Sequence, residues 1–368
     1  MTAAVWFAGL TMHLVLGSNL PELSFRFYIA VGFWIAGLCL ASLYTQSATF
    51  RNSRLDEPGV LIRNIYLFAS IVTVPKLYFF ARQAIMGGTS GNWAWDLRLA
   101  ALGNGSGFEE PFAGLFAVIW QVSLLLELLS FEKKKWWRLA LISVIYWAFG
   151  IVTMSKIVFL CYFLFLGTIF YFKKILTLKH LLVCLSFMVV LFIGVQTARN
   201  AMKFTSTDDD FFLSYVVSNF YSFDTLEPMS EEHWGENTFR VVYAIAEKTG
   251  LSEIEPVDPL LKWVEKPIPT NTYTTLYPFY VDFGLGGIVV FSIVLGILYG
   301  WLFKKASSGS NFHLLLYAVM TNALFMQYAA ELFFSTFAGY VKLFILLLIP
   351  FLATKHNLLA VKKRITEH

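Results

Sequence analysis

Charge is scarce in this chain. Asp, Glu, Lys and Arg make up 14% of its 368 residues, against roughly 25% in a soluble domain. Hydrophobic residues make up 57% and aromatics 18%. This balance argues against a water-soluble fold and for lipid-matched helix packing. Cysteine and histidine are few. Cys39, Cys161 and Cys184 all lie in apolar runs, which reads as packing thiols and argues against disulfides or a thiolate metal site. The chain has no paired His, CxxC, Gly-rich phosphate loop, Walker pattern or G-x-S-x-G elbow. Nucleotide chemistry is therefore unsupported, no metal or other cofactor is implied, and nothing points to nucleic acid. No cleavable signal peptide is expected, because the apolar stretch 3–16 lacks a basic n-region and a clear cleavage site. No internal repeat of the inverted-repeat transporter kind is visible.

What is present is a series of apolar runs of spanning length, about 20 residues each. Spans are expected near 3–17, 27–45, 60–85, 111–131, 137–153, 157–172, 180–197, 276–303, 311–333 and 339–354. The span at 60–85 holds Arg63, Pro75, Lys76 and Arg82 and is expected to kink. One alternate set of connections, 46–58, 132–138, 173–179, 304–310 and 355–368, carries 15 basic and four acidic residues. The opposite set carries nine basic and 17 acidic. Basic loops stay in the cytoplasm, so both termini are expected there. The fold class is an all-α polytopic integral membrane protein of about ten helices in the bacterial inner membrane. Its parts are 1–197 (spans one to seven), one large periplasmic loop at 198–275, and 276–368 (spans eight to ten and a basic tail).

The large loop holds 13 of the 24 acidic residues and six of the 28 basic ones. Its aromatics and apolar runs argue for a folded element. Asp208–Asp210 precede an apolar run, 211–221, too short to cross and read as a re-entrant or interfacial helix. Asn237 is expected to cap a helix over 238–248, closed by Gly250. Arg199 reads either as an interfacial anchor or as a guanidinium clamp for phosphate. Lys203 lies one turn on. Arg240 reads as a second clamp or as the partner of Glu236 or Glu247. His233 is the one outward histidine, a general base or a solvated side chain; Glu227, Glu231, Glu232 and Glu236 crowd around it. Glu127, Asp282 and Glu331 fall in or beside spans, where carboxylates are expensive and often functional. Glu127 is expected to pair with Lys133–Lys135. Lys156, at a short outer turn, can pair with Asp282 or Glu331 or bind phosphate.

The passage from Pro269 to Gly287, PTNTYTTLYPFYVDFGLGG, resembles the N-x-Y-T…Y-x-D-F-G-x-x-G signature of oligosaccharide repeat-unit polymerases, the O-antigen polymerase family. Gly235-Glu-Asn-Thr-Phe239 resembles the family's G-x-x-T-F segment. The stretch 150–156 resembles a short outer turn that in relatives often reads G-S-R, with Lys156 where Arg is usual. The resemblance implies a GT-C-like glycosyltransferase that needs neither metal nor nucleotide sugar. It would transfer a growing undecaprenyl-pyrophosphate-linked glycan onto the non-reducing end of a new lipid-linked unit, and a chain-length regulator is a possible partner. Under that reading Arg199, Lys203, Arg240 and Lys156 face the pyrophosphate. The base is one of His233, Glu227, Asp282 and Glu331. Tyr221, Trp234, Asn271, Tyr273 and Tyr280 touch the glycan. Scaffolding is the other reading of Asn271, Tyr273, Tyr280 and Asp282, with Gly284, Gly286 and Gly287 allowing close packing. An O-antigen ligase of similar layout is an alternative, as is a flippase of the lipid-linked unit; the folded loop argues against the flippase.

Overall fold

The computed structural model describes residues 1–16, 20–48, 57–101, 113–177, 217–229, 233–258, 261–265, 267 and 269–366, with single helical positions between 179 and 194. Most of the expected span at 180–197 lies outside them, as do Cys184, Arg199, Lys203, Asp208–Asp210, Glu231 and Glu232. Thirteen α-helices are described: α1 (Thr2–Leu16), α2 (Phe25–Ser47), α3 (Val60–Val72), α4 (Val74–Met86), α5 (Trp93–Ala101), α6 (Ala113–Leu129), α7 (Trp136–Val152), α8 (Lys156–Phe172), α9 (Ser218–Asp224), α10 (Arg240–Lys248), α11 (Tyr277–Ser307), α12 (Asn311–Phe325) and α13 (Phe337–Thr366). Among the described residues the one β feature is an isolated bridge, Val264 to Thr270. Four stretches are long and apolar enough to cross a membrane: Phe25–Ser47, Val60–Met86, Lys133–Val152 and Tyr277–Ser307. Four shorter apolar helices accompany them: Thr2–Val15, Gly114–Leu129, Lys156–Phe172 and Phe337–Ala353. The chain is an all-helical membrane protein.

Two compact units divide the chain. The first comprises Met1–Arg51, Thr207–Lys305 and Met320–Tyr340. Its core is aromatic. Trp6 stacks on Phe220 and Trp34 on Phe279, with centroids 6.0 and 5.5 Å apart. A buried indole N–H needs an acceptor, and Gln327 Oε1 serves both, taking Trp6 Nε1 at 3.0 Å and Trp34 Nε1 at 3.2 Å. Small residues bring α2 and α11 together. A Cβ added at Gly296 would lie 2.6 Å from Leu38 O, and one at Gly300 2.6 Å from Ser42 O, the close approach that small-xxx-small spacing permits. Asp224, at the end of α9, accepts from Ser24 N and Ser24 Oγ at 2.8 and 2.6 Å. Arg26 Nη1 and Nη2 take the Leu226 and Asp224 carbonyls at 3.0 and 2.7 Å. The start of α2 thereby holds the C-terminal turn of α9, satisfying carbonyls that a helix end leaves open.

The second unit comprises Asn52–Ser206, Ala306–Val319 and Val341–His368. The expected kink is a break between α3 and α4 at Thr73. Pro75 has no N–H to return to the preceding turn, and Trp120 Nε1 ties the break down by donating to Thr73 Oγ1 at 2.9 Å and Ser70 O at 3.3 Å. Glu127 on α6 does not meet the Lys133–Lys135 cluster as expected. Arg138 of α7 grips it with Nε at 3.0 Å and Nη2 at 2.8 Å, and Arg63 Nε of α3 stands 3.4 Å away. Within the cluster, Lys135 pairs with Glu132 instead. The bidentate geometry favours Arg138 over a flexible lysine. All three side chains are nearly buried, at 4%, 12% and 8% exposure for Glu127, Arg138 and Arg63.

Candidate functional site

The site assembles in the first unit, where α11 breaks. Gly284 has φ 62° and ψ −153° inside α11, a backbone region essentially closed to residues with a Cβ. The break separates a short N-terminal segment, Tyr277–Phe283, from the long apolar part of the helix. Asp282 sits on that short segment and is buried. Its Oδ2 accepts from Thr238 N at 2.7 Å, and its Oδ1 from Asn237 Nδ2 at 3.0 Å and Asn237 N at 3.4 Å. Asn237 Oδ1 in turn accepts from the Tyr277 hydroxyl at 3.2 Å. Two stretches some 45 residues apart in sequence, Gly235–Phe239 and Tyr277–Gly284, are thus one hydrogen-bonded assembly.

The local sequence makes this possible. Gly235 adopts φ 72°, which lets the chain turn back so that Phe239 N reaches Gly235 O at 2.7 Å. Phe239 then packs on Phe283, Phe291 and Phe334, and Trp234 stacks on Phe239 and meets Phe283 edge-on. Asn237 does not cap α10 as expected: the residue before that helix is Phe239, with no side-chain cap, because the Asn237 amide is taken by Asp282 and Tyr277. Gly250 does close the helix, at φ 70°, with Leu251 N on Ala246 O at 2.8 Å.

An open cavity of about 390 Å³ lies against this assembly, lined by Met229, His233, Trp234, Asp282 and Phe283. It combines an imidazole, a carboxylate and two aromatic faces. An imidazole can exchange a proton near neutral pH, and the aromatic faces offer a flat apolar wall. Arg240 is half-buried at the start of α10. Its Nε is buried without a hydrogen-bond partner. Neither Glu236 nor Glu247 is within ion-pair distance of it, since Arg240 has no described salt bridge.

Of the candidates, His233, Trp234 and Asp282 line this one cavity, and Arg240 starts the helix that follows Asn237 and Thr238. Glu227 is exposed on the turn after α9. Glu331 is buried at the turn before α13. Its Oε1 accepts from Phe333 N at 2.6 Å and Phe334 N at 2.9 Å, and its Oε2 from Ser335 N at 2.8 Å. Lys156 belongs to the second unit, as the first residue of α8.

Tyr221, Tyr273 and Tyr280 are buried rather than lining the cavity. The Tyr221 hydroxyl meets His13 Nε2 at 2.9 Å and donates to Pro21 O at 2.5 Å; that of Tyr273 donates to Lys262 O at 3.1 Å. Arg26 stands over the Tyr280 ring, 5.4 Å from its centroid. Asn271 is half-buried beside the Val264–Thr270 bridge. Gly287 allows a close approach, since an added Cβ would sit 2.3 Å from Phe279 O; Gly286 faces open space. Sequence reasoning missed Met229 and Phe283 as cavity walls. The one available signal for Phe283 was its place directly after Asp282.

No group of three or more His, Cys, Asp or Glu among the described residues is placed to hold a metal ion. No family model, curated protein or solved structure matches this chain.

Proposed function

We propose that this protein is an integral-membrane glycosyltransferase of the oligosaccharide repeat-unit polymerase kind, acting on lipid-linked glycans at the outer face of a bacterial inner membrane. The observation that carries this reading is the junction at Asp282. The two passages that resemble the polymerase signature, Gly235–Phe239 and Asn271–Gly287, are hydrogen-bonded to each other there, and Asp282 and Phe283 of the second line a cavity with His233. About ten spans, both termini in the cytoplasm and a GT-C-like arrangement belong to the same proposal; the first rests on the apolar runs, the second on the charge distribution of the loops and the third on the resemblance.

In this reading a base removes the proton of an acceptor hydroxyl. The oxygen attacks the anomeric carbon of the growing chain, and the bond to the lipid pyrophosphate breaks. His233 is the preferred base, because Asp282 already uses both oxygens on N–H donors. Arg240 is the preferred described cation for the leaving pyrophosphate, because its buried Nε has no partner to surrender. Arg199 and Lys203 keep the role proposed from sequence. Trp234, 75% exposed at the cavity wall, is the sugar platform.

The test is the surface glycan of a strain lacking the gene. Polymerase loss leaves a single repeat unit on the lipid core. A bare core would point to a ligase instead, and a unit trapped inside the cell to a flippase. Complementation with His233→Ala is expected to restore the protein in the membrane but not the long chains. Full-length polymer from that variant would exclude His233 as the base.

A further inference from the structure

We propose that α10 is a membrane-surface helix whose apolar face is covered by lipid. The observation is an inverted amphipathic helix. A helix on a water-facing surface turns its apolar stripe inward and its polar face outward. In α10, Val242 and Ile245 point outward at 62% and 58% exposure. The opposite side carries Arg240, with its buried Nε, Tyr243, whose hydroxyl donates to Trp234 O at 2.8 Å, and the exposed Glu247. Val242 and Ile245 are three residues apart and share one face. Their neighbourhood in sequence continues the pattern: Trp234 is 75% exposed and Leu251 83%. Two exposed aliphatic residues on one face of a nine-residue helix, with Leu251 exposed just past its end, mark a contact site.

The occupant follows from where α11 enters the bilayer. Its 31 residues run across the break at Gly284, so only the part beyond the break is matched to a hydrocarbon layer of about 30 Å, which takes about 20 residues at 1.5 Å each. Lys304 and Lys305 mark one end of its apolar part. About 20 residues counted back from Phe303 reach Gly284, where the helix breaks. Asp282 therefore stands at the edge of the hydrocarbon layer, and its bonds to Asn237 and Thr238 pin the start of α10 at that level. Phe239, the residue before the helix, packs on Phe291, a full two turns inside the apolar part of α11. A helix fixed at that depth with its apolar side uncovered by protein meets acyl chains and head groups, while the exposed Glu247 and Lys248 lie off that apolar stripe, Glu247 on the opposite face with Arg240 and Tyr243. The inference requires that α11 spans, and does not depend on the chemistry proposed above.

Nitroxide labels on single cysteines test it. Val242→Cys, Ile245→Cys, Glu247→Cys and Lys248→Cys are placed one at a time in the full-length protein with its three native cysteines replaced. Each variant is reconstituted in phosphatidylcholine–phosphatidylglycerol vesicles. Oxygen accessibility is expected to exceed that of a water-soluble nickel complex at 242 and 245, at a depth of about 5–10 Å below the phosphates, with the reverse at 247 and 248. Nickel-dominated accessibility at all four positions overturns the proposal. So does low access to both reagents with dipolar broadening between labels, which would place a second copy of the chain on this face. As a measurement free of substitutions, the native protein in vesicles of phosphatidylcholine bearing an acyl-chain diazirine is expected to form adducts on Val242 and Ile245. Absence of adducts on α10 when α11 is labelled counts equally against it.

Discussion

Asp282 is a buried carboxylate whose described partners are all N–H donors: two from Asn237 and one from Thr238. At the residue scale this makes it the clasp between the loop and α11, whatever its part in chemistry. Asp282→Ala would leave the Thr238 and Asn237 donors unpaired in a buried site, at a cost of about 1–3 kcal/mol for each. Asp282→Asn keeps one acceptor oxygen and should lose less. Thermal unfolding of the full-length protein in detergent is expected to rank wild type above Asn and Asn above Ala. Equal stability of all three would show that the clasp contributes nothing. The clasp also marks a limit of reading sequence alone. Asn237 has the composition of a helix cap, and a local rule assigns it to the next helix. Its actual partner is 45 residues away, a distance at which no spacing rule operates. Glu127 repeats the lesson: its nearest cations in sequence are the lysines at 133–135, but the geometry of a carboxylate favours the guanidinium fork of Arg138.

Elements were more legible than contacts. Apolar length alone marks where the described long helices run, and Pro75 marks the break between α3 and α4. Gly250 marks the end of α10, since its φ of 70° is one that few other residues tolerate. Helix α5 escaped notice: nine residues containing Asp96 and Arg98 carry no spanning signal, and the buried Asp96 accepts from Ser90 N at 3.1 Å. The three glycines of the Phe283–Gly287 stretch looked equivalent in sequence, yet they differ in kind. Gly284 holds a conformation that strains any residue with a Cβ, whereas Gly286 has nothing within 4 Å of an added Cβ. Gly284→Ala is therefore expected to cost about 1–3 kcal/mol and to tilt Asp282 away from Thr238. Gly286→Ala, at a helical position, should be neutral or slightly stabilising. Unfolding in detergent checks the pair. Indistinguishable behaviour of the two variants would mean that the break at Gly284 does not position the site.

At the scale of the whole molecule, the two units and the charge distribution make one demand. A membrane protein is oriented chiefly by the lysines and arginines of its short loops. Here the imbalance is large: one set of connections carries 15 basic and four acidic residues, the other nine and 17. Lys304 and Lys305 close α11 at one end, and Asp282 stands near the other. Within the second unit Lys133, Lys134 and Lys135 precede α7, with Trp136 and Trp137 exposed beside them, an arrangement of cations and indoles that suits a membrane–water boundary. If basic loops remain inside, the cavity with His233 and Asp282 opens outside, as the proposed function requires. Alkaline phosphatase, active only after export, reads this directly. Fusions after Ser252 are expected to be active, and fusions after Ser130 or Ser308 inactive. Activity after Ser308 combined with inactivity after Ser252 would invert the molecule. The cavity would then face the cytoplasm, and the outer-face glycosyltransferase reading would fall with the orientation, while the hydrogen bonds that join α10 to α11 would stand unchanged.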